Sequence, residues 1–360
     1  MSEIVRKALA EVVEGRTLSI DEARAAMGSV MDGEATPAQL AALMVALRMR
    51  GETTEELAGF ASAMRDRVMR VNGPADAIDT CGTGGDGSNT FNISTAAAIV
   101  VASAGIPVAK HGNRAMTSRS GSADVLEALG ISIDLGPEEA AQAMATDRFA
   151  FLFAMAYHPA MKHAGPTRRE IGVRTAFNLL GPLTNPAGAR RQVLGVGAAA
   201  AAPKLAEVLR LLGAERALVV HGDGLDELPL DGKGVVYDVR PTGVTRSEVV
   251  AADLGLAEAP VSALAGGTPG ENAAIVESVL AGGEAGPRRD VVLLNAAAAF
   301  VASGRAEDLR HGIEMAAEAI DSGAATRLLE RLRAAKKERD AAKAAEAAAQ
   351  AAAATTGAPA

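Results

Sequence analysis

The chain is expected to be an α/β protein, a small all-helical domain beside a larger α/β domain with a mainly parallel central sheet. Three observations predict this. Residues 1–73 carry helix-start signals and no strand-like run. At Asn72-Gly73-Pro74 the pattern changes to short apolar segments alternating with helix-like ones. Two loops dense in glycine and polar residues then follow consecutive strand-like segments. Such alternation predicts parallel strands joined by crossover helices. The fixed hand of those crossovers puts both loops on one edge of the sheet, where open α/β sheets bind ligands.

The N-terminal helices are marked by their caps. Ser19-Ile20-Asp21-Glu22, Thr36-Pro37-Ala38-Gln39 and Thr53-Thr54-Glu55-Glu56 each have the form of a capping box. Pro37 falls at a first helical position, where a missing N–H costs nothing, and Gly33 and Gly51 supply stops. Strands are expected at Ala77–Thr80, Ile106–Ala109, Phe149–Phe153, Val193–Val196, Ala217–His221 and Val235–Val239. The segment Gly165–Pro186 is helix-like and then loop-like, broken by Gly181-Pro182 and Asn185-Pro186. The strand-like segments all fall within 74–164 and 187–333. From 334 to 360 the chain is Ala/Lys/Glu-rich without large apolar residues, which predicts a solvated helix or a disordered tail with no catalytic content.

Composition narrows the function. Of 360 residues, 49% are hydrophobic and 22% charged, as in an ordinary globular protein, and the formal net charge is −8. That balance argues against a nucleic-acid or anionic-membrane surface, so positive groups for an anionic ligand must be concentrated locally. The N-terminal segment has no apolar signal region and no apolar run is long enough to span a membrane. A single cysteine fits a reducing compartment, so a cytoplasmic protein is expected. Cys81 itself reads as a small apolar residue at a strand end, since no base accompanies it.

The chemistry lies between residues 79 and 122. Gly82, Gly84 and Gly87 formally satisfy a dinucleotide fingerprint, but Ser88-Asn89-Thr90-Phe91 separate the loop from its helix and the next strand ends at Lys110 instead of an acid. The Walker pattern fails as well, because no Gly-Lys-Ser/Thr closes the loop. What remains is a glycine-rich concavity of N–H groups leading to a helix N-terminus, suited to anions, with Asn92, Ser94 and Thr95 as further donors. The second loop, Lys110-His111-Gly112-Asn113-Arg114, adds an ammonium, a guanidinium and an amide, followed by Thr117, Ser118, Arg119, Ser120 and Ser122. Ser122 is expected to cap a helix over Ala123–Leu129, on which Asp124 and Glu127 read as ordinary first-turn and solvent-face residues. Two such loops side by side point to a ligand with phosphates at both ends. A third loop, Gly222-Asp223-Gly224-Leu225-Asp226-Glu227, offers adjacent carboxylates, a pattern of solvated turns that beside a phosphate site also suits Mg²⁺.

Gly82-Thr83-Gly84-Gly85-Asp86, Asn92-Ile93-Ser94-Thr95, Lys110-His111-Gly112-Asn113-Arg114, the stretch Arg168–Pro186 and Asp226-Glu227 together resemble the anthranilate phosphoribosyltransferase family, in order and over about residues 3–333. The resemblance implies a fold of the nucleoside phosphorylase/phosphoribosyltransferase class, with the 1–73 helices completed by about 165–186, and a homodimer. It implies that Gly82, Gly85, Asp86, Thr90, Asn92, Ile93, Ser94 and Thr95 surround 5-phosphoribosyl 1-pyrophosphate (PRPP). Lys110, His111, Gly112, Asn113, Arg114, Ala115, Met116, Thr117, Ser118 and Ser122 would complete that cradle. Ser94, Asp226 and Glu227 would hold Mg²⁺, and Asn113 and Arg168 would bind anthranilate. Thr117 stands where many relatives have serine, and Met155 where proline is frequent, near the expected aromatic-acid channel.

On that reading the phosphoribosyl group passes from pyrophosphate to the amine of anthranilate. The main task is stabilising the leaving group through N–H donors, Lys110 and Mg²⁺. An arylamine is neutral at pH 7, so no strong base is required. His111 either orients the amine, relays its proton or makes a structural hydrogen bond within its loop, and His158 is a candidate for the channel wall. His163, His221 and His311 read as packing or surface residues. A pyrimidine-nucleoside phosphorylase of the same fold, a nucleic-acid-binding relative and a nicotinamide dehydrogenase are the alternatives, in that order.

Overall fold

The computed structural model describes residues 1–115 and 119–356. It opens with α1 (Glu3–Val13), α2 (Ile20–Met31), α3 (Pro37–Arg50) and α4 (Thr54–Arg65). The three expected capping boxes are formed, with Ser19, Thr36 and Thr53 each accepting from the N–H three residues on and the Glu or Gln there answering the cap N–H. These helices bury Met27, Leu43, Met44, Leu47 and Phe60 against one another.

From residue 78 the chain builds a seven-stranded sheet in the order β3-β2-β1-β4-β5-β6-β7. The strands are β1 (Ile78–Gly82), β2 (Val108–Gly112), β3 (Phe149–Phe153), β4 (Arg191–Gly195), β5 (Arg216–His221), β6 (Gly234–Arg240) and β7 (Gly243–Val249). The first five in chain order pair in parallel, and β6 and β7 run antiparallel. The fold class is therefore the expected one. Helices α5 (Ile93–Ser103), α6 (Ser122–Ala128) and α7 (Pro137–Asp147) connect β1, β2 and β3. Short α8 (Ala154–Tyr157), α9 (Gly165–Ile171) and α10 (Phe177–Leu180) carry the chain back among the N-terminal helices, and α11 (Ala202–Leu211) links β4 to β5. Then α12 (Pro269–Leu280), α13 (Pro287–Ala302), α14 (Leu309–Asp321) and α15 (Ala324–Thr356) cover the other face. On that face α5, a run of small and β-branched residues, lies almost wholly buried against α13.

Three sequence expectations are corrected. Lys110, His111 and Gly112 are not loop residues but the end of β2, paired with Phe151, Leu152 and Phe153, because their backbone completes a parallel ladder and the Lys110 and His111 side chains are buried. Ser122 is the first residue of α6 and not its cap; the turn is held by Asp124, whose carboxylate accepts from the N–H groups of Ala115 and Gly121 at 2.9 Å. β7 was absent from the expected strands because its largely exposed, charge-bearing sequence lacks an apolar face. As far as residue 356 the tail is the helical continuation of α15, tied down where Arg339 and Lys343 both meet Asp134. Among the described residues no helix is long and apolar enough to cross a membrane.

Candidate active site

β1 sits at the middle of the parallel set, with β2 on one side and β4 on the other, so the chain leaves its C-terminal end at a topological switch point. The glycine loop starts there. Gly84, Gly85 and Gly87 have φ of 61°, 68° and 77°, a left-handed run that side chains disfavour. Among the described residues the N–H groups of Gly85, Asp86 and Gly87 have no hydrogen-bond partner. Arg174, from the segment after α9, donates to the carbonyls of Gly84 and Gly85 at 3.3 and 3.4 Å.

The acidic turn after β5 folds back onto this loop. Asp223 and Gly224 both have positive φ, and Gly222 and Leu225 exchange backbone hydrogen bonds at 2.9 Å, the geometry of a tight hairpin turn. The turn delivers Asp226 and Glu227 to the ends of β1 and β4. Asp226 Oδ2 accepts from Gly84 N at 2.8 Å, and Asp86 Oδ2 accepts from Asp226 N at 3.3 Å. Glu227 accepts from Ser94 N at 3.1 Å and so occupies the positive end of α5. Gly195 is required, since a Cβ there would lie 1.6 Å from the Asp226 carbonyl oxygen.

Lys110 reaches the same place from below. Its buried ammonium donates to the Thr80 carbonyl at 2.6 Å and to Ser94 Oγ at 3.3 Å. Burial lowers its pKa, opposed by Asp79, Glu227 and Asp226. Burial, then the neighbouring Asp86, pushes Asp226 up to about 6, while burial and Asp226 push Glu227 well above the carboxylate range. One buried ammonium thus faces more negative charge than it offsets. A hard divalent cation with oxygen ligands fits the donor set of Asp226, Glu227 and Ser94. Among the described residues no three His, Cys, Asp or Glu side chains form a metal cage of their own.

Beside this polar edge lies a cavity of about 270 Å³ between the two domains. Gly82, His111, Asn113, His158, Arg168 and Phe177 contribute to its walls. The His111 and His158 Nε2 atoms are 3.3 Å apart. Burial, with His158 adding repulsion, takes His111 down to about 3, and burial takes His158 down to about 4, so both rings are neutral at pH 7. Arg168 lies 4.9 Å over the Phe177 ring, and only burial shifts its pKa, downward. A half-buried guanidinium stacked on an aromatic wall, with no facing acid among the described residues, is suited to an aromatic carboxylate.

Residues 6–68 match the glycosyl transferase family helical bundle domain, and residues 74–326 match the glycosyl transferase family a/b domain. The anthranilate phosphoribosyltransferase of Symbiobacterium thermophilum is 56% identical over 327 residues, covering 90% of this chain and 96% of that protein. The chain belongs to the anthranilate phosphoribosyltransferase family. Among solved structures, the anthranilate phosphoribosyltransferase of Thermus thermophilus has a TM-score of 0.87 at 46% identity, covering 92% of this chain and 99% of that one. The Saccharomyces cerevisiae enzyme in complex with PRPP and Mg has a TM-score of 0.86 at 30% identity, covering 94% and 99%. As an anthranilate phosphoribosyltransferase, the protein is a pentosyl-transferring glycosyltransferase.

Within this transferase the sequence-derived residues do not all meet at one point. Gly82, Gly85, Asp86, Ser94, Asp226 and Glu227 converge at the strand ends, whereas Ile93 and Thr95 are buried in the core. Asn92 is engaged by Ser120 and by Asn272 of α12, and Thr90 bridges to Ala265. Arg114 is held by Asp124 and Glu127, which are therefore its counter-charges and not bystanders. Met116, Thr117 and Ser118 lie outside the described residues. His221 is structural, its Nδ1 2.7 Å from the Val196 carbonyl oxygen, and burial raises the Cys81 thiol pKa well above normal. Sequence reasoning assigned nothing to Arg174, Phe177, Asn178 or Thr184. Their signal was available only as membership of the Arg168–Pro186 stretch.

Proposed function

We propose that the protein transfers the phosphoribosyl group of PRPP to the amine of anthranilate with Mg²⁺, yielding N-(5-phosphoribosyl)anthranilate and pyrophosphate, a step of tryptophan biosynthesis. The observation that carries this reading is the junction of two sites. An edge of glycine N–H groups and buried acids adjoins a cavity containing Arg168, stacked on Phe177, and two neutral imidazoles. The yeast relative solved with PRPP and Mg supports the ligand assignment.

PRPP occupies the glycine loop and the β2 end, its pyrophosphate facing Gly85–Gly87. Lys110 acts through Ser94 Oγ and the Thr80 carbonyl, keeping a positive charge beneath the leaving group. Asp226, Glu227 and Ser94 would hold Mg²⁺, which when bound supplies charge neutralisation for the pyrophosphate. Arg168 orients the anthranilate carboxylate. Neutral His111, beside His158, is a hydrogen-bond partner for the amine and not a cation repelling the oxocarbenium-like ribose. As the C–O bond to pyrophosphate breaks and the C–N bond forms, the amine proton passes to solvent.

Homodimerisation fits exposed apolar residues on the first domain, Ile4 and Val13 of α1 and Val45 and Met49 of α3. The test of the function is loss of anthranilate fluorescence on mixing with PRPP, run with Mg²⁺, with EDTA, and with Asp226→Asn/Glu227→Gln. Turnover that requires metal and both acids is expected, with the double variant slower by roughly 10²-fold or more. No fluorescence loss from folded protein would refute the reading.

A further inference from the structure

The segment Gly181–Asn185 joins the helical domain to β4, and Gly181, Pro182 and Thr184 wall the acceptor cavity. Gly181–Leu183 form one short 3-10 turn, and Pro182, Leu183, Thr184 and Asn185 are all buried. What holds it is a seam of buried polar groups on the strands beneath. Asn185 Nδ2 donates to Asp79 Oδ2 and to the Ala109 carbonyl, both at 2.8 Å. Asp79 Oδ1 accepts the His111 N–H at 3.1 Å. Gln192 of β4 donates to the Pro182 carbonyl at 2.7 Å, and Arg65 of α4 to the Leu183 carbonyl at 2.7 Å.

The seam is directional where an apolar contact would not be. Apolar surfaces slide at small cost, whereas a buried carboxylate with fixed donors tolerates few arrangements. Asp79 is completely buried on β1; its charge bears on Lys110, but its hydrogen bonds to Asn185 and the His111 N–H run to the walls of the cavity. Its two oxygens grip both walls of the cavity at once, the His111 backbone on one side and the linker, through Asn185, on the other.

We propose that Asp79 is a positioning residue of the acceptor site: through Asn185 and the His111 backbone it sets the separation of the cavity walls and hence the fit of the aromatic acceptor. The inference rests on the reading of the cavity as the anthranilate site. Toward the PRPP end Asp79 acts only as a counter-charge of Lys110, which Asn185→Ser leaves in place.

The test is Asp79→Asn in the full chain, which keeps shape but turns one acceptor oxygen into a donor facing the Asn185 amide. KM for anthranilate and for PRPP, kcat and the thermal midpoint are measured together. The expected result is an anthranilate KM raised roughly tenfold, as for one buried polar group left unpaired, with the PRPP KM within about twofold of the original. A purely structural role would lower the thermal midpoint without splitting the two KM values, and that result overturns the proposal. Should Asp79→Asn not fold, Asn185→Ser releases the linker from the opposite side and is judged by the same split. If the unaltered protein turns over PRPP only with another acceptor, the anthranilate reading fails, and the KM split is then measured with that acceptor.

Discussion

Asp226 Oδ2 accepts a hydrogen bond from Gly84 N at 2.8 Å, so the acidic turn after β5 and the glycine loop after β1 are one unit across 142 residues of sequence. The pairing explains why glycine recurs here for two different reasons. In the loop it permits positive φ, while at Gly82 and Gly195 it leaves room for Asp226 itself.

Gly82→Ala tests that unit directly. A Cβ on Gly82 would stand 2.3 Å from Asp226 Oδ2, so the carboxylate must move away from Gly84. We expect a fall in kcat of roughly 10²-fold, in the range of a lost oxyanion donor, with stability reduced by about 1–3 kcal/mol. Turnover by fluorescence and unfolding by denaturant report the two effects. Undiminished turnover would mean that Asp226 is not confined by this contact.

Arg168→Met keeps much of the contact with Phe177 while removing the guanidinium 4.9 Å above its ring. The anthranilate KM should rise by roughly 10- to 100-fold, as for a lost charge-assisted pair, and the PRPP KM should not follow. Aniline, which has no carboxylate, should be used equally by both proteins. A penalty of the same size with aniline would contradict a carboxylate role.

The imidazole pair makes a prediction with a definite sign. Both histidines are lowered from 6.5 in the native state, His111 to about 3 and His158 to about 4. The unfolded chain therefore binds more protons as pH falls below 6.5, and native stability contributed by the neutral pair is lost from there down through the native values. The His158 share alone corresponds to roughly 3 kcal/mol. Urea unfolding between pH 7 and 4 should show a shallower acid-side loss in His111→Gln/His158→Gln than in the unaltered protein. In kcat/KM for anthranilate, no inflection near pH 6.5 should arise from this pair.

Removal of residues 335–360 should leave both KM values unchanged. It takes away the Arg339 and Lys343 ion pairs with Asp134 but leaves the buried Leu328, Leu329 and Leu332 of α15 in place. The exposed Lys343 pair is worth little, whereas the Arg339 side chain is mostly buried, so the loss should come chiefly from Arg339 and be on the order of 1–2 kcal/mol. A change in turnover would show that the tail reaches the site.

Local chemistry was legible wherever one short segment contains the whole signal. The capping boxes at Ser19, Thr36 and Thr53 were visible because cap and reciprocating side chain are three residues apart. β7 was not, since an exposed edge strand needs no apolar alternation. Nor was the state of Arg114: its partners are ten and thirteen residues away, and only the fold of α6 brings them under it.

By itself the sequence determined the α/β class, the glycine loop, the acid pair and the family, because each is written in residue types at short spacing. Tertiary structure alone decided what those residues face. It buried Lys110 beneath Ser94, turned Glu227 onto the N-terminus of α5, made His111 and His158 neutral neighbours, and drew Asp79 and Asn185 together across 106 positions. The physical reason is that charge state and hydrogen-bond partner depend on burial and on distance in space, and neither is a property of neighbours along the chain.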